Sequence, residues 1–342
     1  MKPLKDIAFS MLDLVALREG GTVAEGLAVA LRTAQHAESL GFNRYWLAEH
    51  HNMVGIASSA TAVLVGHIAG GTKRIRVGSG GIMLPNHAPL VVAEAFGTLA
   101  ELYPNRIDLG LGRAPGTDGA TMRALRRDRV ESEEDFPRDV AELEHLLGPG
   151  QPNQRITAMP GIGTNVPIWL LGSSLFSAQL AAQRGLPYAF ASHFAPRLLL
   201  QAIHLYRSNF KPSVHLSKPK VVIGVPMIAA PTEEEADYLA SSTYQRVLGI
   251  LTGDRRRLQP PIEGFLEQQH PQAKAAIADF LAAAVIGGPD TVRAGLLALA
   301  EATDADEFLL VSDVFDPALR LRSLDIATEV KNSVRELIHA AA

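Results

Sequence analysis

Apolar segments with the length of β-strands alternate with helical segments along almost the whole of this chain. Such alternation predicts a parallel sheet whose strands are joined by right-handed helical crossovers. A count of about eight strands favours a closed (β/α)8 TIM barrel, an α/β fold, and a doubly wound open sheet is the alternative. The predicted strands are Ile7–Leu14, Asn43–Glu49, Arg74–Pro85, Ile107–Arg113, Ile168–Gly172, Tyr188–Ser192, Val221–Ala230 and Glu307–Asp313.

Residues 231–289 lie between strands 7 and 8 and are too long for a simple crossover. Helices are predicted there near Glu233–Leu251 and Gln272–Val285. We interpret this extended insertion as a candidate lid over the barrel, and an excursion packed on the barrel flank is the alternative. No clear linker interrupts the sequence, so we predict one domain that spans residues 1–342.

Two further segments carry local signals. Thr22 and Glu25 have the spacing of a capping box at the start of the first helix, and Gly41 follows its end. Ala114–Pro137 carries a basic run followed by an acidic run. Opposed runs of this kind are typical of a solvated surface with local ion pairs.

The composition excludes several functional classes. The chain has no cysteine, which removes disulfides, thiolate metal sites and cysteine nucleophiles and is compatible with a reducing cytoplasm. A net charge of -4 gives no electrostatic case for nucleic-acid binding. Asp6 and Asp13 interrupt the apolar start of the chain, and the run Val221–Ala230 is too short to span a bilayer. We therefore expect a soluble cytoplasmic protein that binds neither nucleic acid nor membrane.

The third predicted strand contains the glycines Gly78, Gly80 and Gly81. Glycine weakens a strand by about 0.5–1 kcal/mol relative to alanine, because it loses more backbone entropy and packs no side chain. Three in one strand indicate either a chain that bends in a crowded core or a flat group that approaches the bare main chain. We favour the second interpretation, in which a planar cofactor ring lies against Gly80–Gly81.

Polar residues and glycines recur where the predicted strands end, whereas the bodies of the strands are apolar. Barrel enzymes place their reactive groups at these carboxyl ends. We therefore expect the functional site there. The candidate residues are Ser10, Met11, Leu12, Asp13, Glu49, His50, His51, Gly80, Gly81, Arg113, Gly172, Ser173, Ser174, Ser192 and His193.

The fifth strand leads directly into a helix that begins near Ser173, Ser174 and Ser177. Free N–H groups at a helix start hold a phosphate well, and serine hydroxyls add donors. Arg113 ends the neighbouring fourth strand, where a guanidinium would complete such a site. An ordinary serine N-cap and an arginine paired with a carboxylate are the alternatives.

His50 and His51 raise the question of a metal. Adjacent strand residues point to opposite faces, so the two imidazoles cannot readily bind one ion together. The chain contains no H-E-x-x-H motif, and the other strand ends offer no obvious carboxylates. We expect no metal. A hydrogen-bond donor near a cofactor is the favoured role for His50, and a structural histidine is the alternative.

Several segments together resemble the bacterial-luciferase-like flavin monooxygenases. They are Gly41–His51, Arg76–His87 and Leu109–Arg113, and the similarity resumes at Trp169–Pro187. Separately these segments are short, but together they are specific and cover the barrel core. The chain is most similar to single-chain members of that family rather than to a light-emitting subunit.

The resemblance implies roles for individual residues. His50 matches the histidine near the reactive edge of the flavin, and Gly80–Gly81 matches the pair that backs the isoalloxazine ring, which can be joined by a non-proline cis peptide. Arg113 matches the arginine that binds the FMN phosphate, and the helix start at Ser173–Ser177 completes that pocket. The luciferase Glu is replaced by Ser173 and its reactive Cys by Gly112, so light emission is not expected.

The resemblance also implies an activity, in which reduced FMN and dioxygen oxidise a small organic substrate such as an aldehyde. His50 and His193 are the expected catalytic donors, and a partner flavin reductase is expected to supply the reduced FMN. The alternatives are an F420-dependent hydride-transfer oxidoreductase, a non-catalytic flavin-binding protein and a flavin-free lyase or hydrolase barrel. A homodimer is expected through the helices near Ser59–Ala69 and Leu90–Leu102.

Overall fold

A computed structural model of the chain describes residues 2–114, 119–125 and 135–339. Its strands are β1 (Ala8–Asp13), β2 (Arg44–Leu47), β3 (Arg76–Met83), β4 (Ile107–Gly112), β5 (Ile168–Gly172), β6 (Tyr188–Phe190), β7 (Val221–Ala229), β8 (Val285–Gly287) and β9 (Glu307–Val311). Its α-helices are α1 (Val23–Ser39), α2 (Thr61–Gly71), α3 (Pro89–Leu102), α4 (Gly119–Leu125), α5 (Asp135–Leu147), α6 (Leu175–Arg184), α7 (Leu199–Asn209), α8 (Glu233–Thr252), α9 (Pro271–Phe280), α10 (Pro289–Thr303) and α11 (Pro317–His339).

The strands close into a parallel barrel. Their order is β6-β5-β4-β3-β2-β1-β9-β7-β8, and an additional pairing of β6 with β7 completes the ring. Within the described residues β8 pairs only with β7, so it lies outside a ring of the other eight strands. The predicted (β/α)8 TIM barrel is therefore confirmed, and the open-sheet alternative is wrong.

The insertion between β7 and β9 differs in detail from the prediction. The helix predicted near Gln272–Val285 ends earlier, at Phe280, and Val285 begins β8 instead. β8 pairs with the end of β7 from Met227 to Ala229. The β-branched residues of β8 gain a sheet partner there, which a helix would not provide.

The first helix is capped as predicted. The Thr22 hydroxyl accepts a hydrogen bond from the Glu25 N–H at 3.2 Å, and the Thr22 N–H donates to the Glu25 carboxylate at 2.7 Å. Gly41 follows the helix with φ 77°, a left-handed conformation that favours glycine. These local signals position α1 between β1 and β2.

Two apolar layers hold the barrel together. The larger one lies between the strands and the surrounding helices. The smaller one fills the barrel interior and is centred on Trp46 and Trp169, whose rings meet edge to face at 5.2 Å. The interior is therefore packed rather than open through its length, as expected for a barrel of this size.

A network of buried charges closes the amino-terminal end of the barrel interior. Arg44 Nε donates to Glu307 at 2.6 Å, and Arg44 Nη1 donates to Asp108 at 2.6 Å. The Arg44 guanidinium also lies 4.4 Å from the ring of Trp169. Ser10 Oγ donates to Glu307 and accepts from the Arg44 N–H at 3.1 Å. The buried charges at this end are thus paired with one another.

The insertion has its own apolar cluster, which includes Leu239, Val247 and Ile277. It also reaches across the carboxyl end of the barrel. Leu258 exchanges two main-chain hydrogen bonds with the loop after β1, at 2.8 and 2.9 Å. Phe280 meets Phe194, in the loop after β6, at a centroid distance of 5.7 Å. The insertion therefore lies over the end of the barrel where the site is expected.

Most of the predicted charged surface at Ala114–Pro137 lies outside the described residues. Arg123 and Asp135 are the members of its two charged runs that the structure describes. Within the described part of the chain, no helix combines the length and hydrophobicity needed to cross a bilayer.

Candidate active site at the mouth of the barrel

The glycines of β3 lie in the closely packed wall of the barrel and also next to its mouth. The register between β3 and β4 shifts between Ser79 and Ile82, and the Gly80–Gly81 peptide bond is cis. A Cβ atom on Gly81 would lie 2.7 Å from the Gly110 oxygen, and one on Gly80 would lie 2.6 Å from Leu12. The close approach of neighbouring atoms and the irregular register of β3 therefore account for part of the glycine pattern. Gly80 is only half-buried, however, so its bare main chain also offers a surface at the mouth.

Arg113 lies at the exit of β4, beside the start of α6. Gly112 pairs with Leu171 across β4 and β5, so the two strand exits are neighbours. The exposed Arg113 guanidinium lies 4.3 Å from the ring of Phe176, in the first turn of α6. Among the described residues, Arg113 pairs with no carboxylate. The described part of the structure therefore does not show the alternative in which Arg113 pairs with a carboxylate.

The three predicted serines have different surroundings. Ser174 occupies the N-cap position of α6, but its side chain makes no capping hydrogen bond. Ser173 and Ser174 are both partly exposed. Ser177 is buried, and its hydroxyl donates to the Ser174 carbonyl at 2.9 Å. Ser173 and Ser174 therefore keep exposed surface that a ligand could contact, whereas the Ser177 hydroxyl is used inside the protein to bond the loop before α6.

His50 and His193 come from loops on different sides of the mouth, after β2 and after β6. The Nδ1 atoms of both rings are buried and have no hydrogen-bond partner among the described residues. Burial, together with the positive charge of Arg246, lowers the pKa of His50 to about 4 and that of His193 to about 3. The two imidazoles are therefore neutral near pH 7.

His51 joins a second cluster. It lies with His50 in the loop after β2 and not in a strand, so the predicted strand alternation does not apply to this pair. Glu49 Oε1 accepts from His51 Nε2 at 2.7 Å and from His87 Nε2 at 2.8 Å. These three side chains could hold a metal ion. In this structure the Glu49 carboxylate bridges the two imidazoles directly.

The Glu49 carboxylate is a fixed charge in this cluster. Burial opposes its ionisation, but hydrogen bonds from His87 and His51 outweigh burial, so its pKa lies below the ordinary value. Its second oxygen accepts from the N–H of Met83 at 3.2 Å. Glu49 thus ties the loop after β2 to the end of β3, beside the glycine pair.

Two residues of the mouth were missed by the sequence analysis. Arg246 projects from α8 and pairs with Asp313, which follows β9. The Nε atom of Arg246 is buried without a partner among the described residues. An arginine inside an amphipathic helix gives no local signal, because the strand ends that it faces are distant in sequence.

Ser10 and Met11 do not lie at the mouth. Ser10 belongs to the charge network at the opposite end of the barrel. Met11 faces the helices and has no exposed surface. In the sequence, Ser10 to Asp13 lie near the end of a first strand predicted to run to Leu14. Along a strand, however, side chains alternate between the barrel interior and the outer layer, and Ser10 and Met11 lie too early in β1 to reach the mouth.

The family model described as luciferase-like monooxygenase matches residues 7–306 of this chain. That match begins just before β1 and ends just before β9, so it covers seven of the eight strands of the ring and the whole insertion. This chain belongs to the luciferase-like monooxygenase family. Members of the family are enzymes, and the candidate active site at the carboxyl end of the barrel is where enzymes of this fold hold their reactive groups.

Individual relatives agree with the family match. A Bacillus subtilis relative, the uncharacterized protein YvbT, is 52% identical over 95% of this chain and 97% of its own length. A luciferase-like monooxygenase of Escherichia coli is 49% identical over 96% of this chain and 98% of its own. The crystal structure of apo-MsnO8 superimposes with a TM-score of 0.84 at 34% identity, covering 95% of this chain and 98% of that one.

Proposed function

We propose that this chain is a flavin-dependent monooxygenase that uses reduced FMN and dioxygen to oxidise a small organic substrate. The observation that carries the proposal is the exposed Arg113 guanidinium, which lies against Phe176 at the start of α6 and has no carboxylate partner among the described residues. A cation beside free N–H groups of a helix start suits the dianionic phosphate of FMN. The partly exposed hydroxyls of Ser173 and Ser174 add donors to the same place.

The remaining residues of the mouth fit the ring of the same cofactor. The half-buried main chain of Gly80 leaves room for a flat group, and β3 is the strand next to β4, whose exit carries Arg113. The unpartnered Nδ1 atoms of His50 and His193 would then find ligand atoms to bind. When bound, FMN supplies the redox chemistry that activates dioxygen.

The protein residues then bind, orient and exclude water. Arg113, Ser173 and Ser174 would hold the phosphate. His50 and His193, neutral near pH 7, would donate hydrogen bonds without bringing a competing positive charge. The insertion covers the mouth and would keep water out during the reaction.

Solved structures with the same fold support two cofactor choices. The oxygenating component of 3,6-diketocamphane monooxygenase from Pseudomonas putida was solved with FMN, at a TM-score of 0.69 and 17% identity. An F420-dependent secondary alcohol dehydrogenase has a TM-score of 0.69 at 16% identity. We favour FMN because a Bacillus subtilis relative that is 36% identical over 68% of this chain is a monooxygenase, of N-acetyl-S-alkylcysteine.

Titration with FMN tests the phosphate site. Arg113→Ala should weaken FMN binding at least about tenfold, because a hydrogen bond to a charged group contributes about 1.5 kcal/mol or more. Arg138→Ala, which removes an exposed arginine of α5, is the matched control and should bind FMN as the wild type does. An unchanged titration of Arg113→Ala would refute the site, and tighter binding of F420 with no oxygen consumption would favour hydride transfer.

We further propose that the chain forms a homodimer and receives reduced FMN from a partner reductase. The dimer is supported by exposed apolar residues on α2 and α3, where Val63, Val91 and Leu102 are 71%, 59% and 63% exposed. Burying such residues between two copies would remove them from water. Sedimentation velocity should show a dimer for the wild type and a monomer for Val63→Glu/Val91→Glu.

The insertion at 231–289 is proposed as a lid rather than a static flank. Its contacts with the loops after β1 and β6 lie directly over the mouth. A closing element should become less accessible when the site is filled. Limited proteolysis at Gly253–Arg257 should slow when FMN is bound, and equal rates with and without FMN would count against a lid.

A further inference from the structure

A second set of buried polar atoms lies on α8 and just after β9, and the flavin contacts proposed above do not use it. These atoms have no hydrogen-bond partner among the described residues. They are Ser242 Oγ, Thr243 Oγ1 and Arg246 Nε on α8, and Ser312 Oγ after β9. A buried polar atom without a partner destabilises the folded protein, so a group of them indicates a place where a ligand supplies the missing bonds.

The two hydroxyls on α8 are unusual for a helix interior. Serine and threonine there commonly donate to the carbonyl one turn earlier. Thr252 does so, with its hydroxyl 2.9 Å from the Leu248 oxygen. Ser242 and Thr243 are almost fully buried but make no such bond. This part of α8 therefore presents unused polar groups inside the protein.

An ion pair holds Arg246 in place, but one of its buried N–H donors has no hydrogen-bond partner among the described residues. Asp313 pairs with its Nη2 atom and fixes the guanidinium on the β9 side of the mouth. Its Nε–H remains buried and unpartnered, although the side chain as a whole is 25% exposed. A guanidinium has five N–H donors in a planar fork, so one carboxylate partner leaves others for a second oxyanion.

This arginine lies away from the proposed phosphate site. Asp313 follows β9 and Arg113 follows β4, and three strands separate these two on either side of the ring. Strands in those positions lie on opposite sides of a barrel. One flavin phosphate cannot account for both cations.

Arg246 also provides a permanent positive charge close to the two histidines of the mouth. The two nearby histidines are neutral near pH 7, because burial and the charge of Arg246 lower the pKa of His50 to about 4 and of His193 to about 3. The charge of Arg255, which is exposed, reaches His50 as well. An anion entering this region meets these cations and the neutral histidines, whereas the carboxylates of Glu49 and Asp313 are engaged by His51 and His87 and by Arg246.

We propose that Arg246 binds a carboxylate of the organic substrate, with Ser242, Thr243 and Ser312 as supporting donors, so that the enzyme acts on small organic acids. The inference rests on the proposed function in one respect only, which is that the bound carboxylate compound is the substrate of the enzyme. The anchor itself is a property of the protein and can be measured without turnover.

Calorimetric titration with hexanoate and hexanamide tests the proposal. The two probes have the same chain length and differ in charge. We expect the wild type to bind hexanoate at least about tenfold more tightly than hexanamide, since hydrogen bonds to charged groups exceed neutral ones by about that factor. The titrations are made on the protein with and without FMN.

The decisive variant is Arg246→Met/Asp313→Asn, which removes both members of the ion pair and leaves no buried charge unpaired. It should bind the two probes equally, whereas Arg246→Lys should keep part of the preference. Arg293→Met, which removes a comparably buried arginine of α10, should keep all of it. Equal binding of the probes by the wild type, or a preference that survives in the double variant, would overturn the proposal.

The outcomes separate this inference from the proposed function. FMN titration of the double variant should match the wild type, because Arg113 and α6 are unchanged. If the wild type fails to bind FMN but still prefers hexanoate, the cofactor proposal fails and the anchor remains. If FMN binds and the preference is absent, the anchor alone is refuted.

Discussion

The buried charges at the amino-terminal end of the barrel interior and the two buried histidines at the mouth differ in their hydrogen bonding. At the amino-terminal end, Arg44 is bonded to both Asp108 and Glu307. At the mouth, His50 and His193 each keep a buried nitrogen without a partner among the described residues. The Arg44 network and the two histidine Nδ1 atoms are all buried, so the difference does not come from the solvent access of these groups.

This difference distinguishes buried polar groups that stabilise the fold from buried polar groups that bind a ligand. A buried charge is tolerated when a partner of opposite charge is fixed beside it, which is the arrangement around Arg44. A buried donor or acceptor without a partner lowers stability, and such groups persist where a ligand satisfies them. We therefore interpret the polar groups of the closed end as stabilising the fold. The unpartnered groups of the mouth are interpreted as ligand-binding groups that lower the stability of the free protein.

The largest expected effect is at the closed end. Arg44→Met should lower the free energy of unfolding by about 3–5 kcal/mol, because Asp108 and Glu307 would remain buried without their shared cation. Urea denaturation measures the change. Arg138→Met, which breaks an exposed ion pair with Asp135, should change it by less than about 1 kcal/mol. Similar losses in the two variants would contradict the interpretation of the closed end.

An intermediate effect is expected from acid at the mouth. The folded pKa of His193 is about 3, below the ordinary value of 6.5, so the unfolded chain takes up a proton first as the pH falls. Stability that is present above pH 6.5 is therefore lost progressively between pH 6.5 and about 3. By pH 5 the loss from this residue should reach about 2 kcal/mol.

Urea midpoints at pH 7.5 and pH 5 test the acid effect. His193→Gln should show the smaller difference between the two, since glutamine does not titrate. His204→Gln is the control and should respond to acid as the wild type does, because His204 is exposed. An unchanged acid response in His193→Gln would show that this imidazole is not held neutral.

The smallest effects come from single hydroxyls and should differ in sign between the two ends. Ser10→Ala removes two hydrogen bonds in the closed end and should cost about 1–3 kcal/mol. Ser242→Ala removes a buried hydroxyl without a partner among the described residues and should be neutral or stabilise by up to about 1 kcal/mol. Thermal or urea unfolding of both variants compares them. Destabilisation of equal size would remove the distinction between the ends.

Much of the fold was predictable because its signals are local. The capping box at Thr22, the turn at Gly41 and the apolar strand bodies act over a few residues, and the structure confirms them. The short strand β8 was not predicted, since Val285 and Ile286 become a strand only through pairing with β7. Ser10 and Met11 were assigned to the mouth because the position of a residue along a strand cannot be read without knowing the barrel's register.

The sequence by itself determined the alternation of strands and helices and the glycines and polar residues at the strand ends, because hydrophobic periodicity and backbone preference are properties of neighbouring residues. The tertiary structure alone decided which polar groups are paired. Arg246 meets Asp313, and Arg44 meets Glu307, across long stretches of chain, because closing the barrel brings distant strand ends together. Pairing depends on that closure, and so does the distinction between a buried charge that supports the fold and one that awaits a ligand.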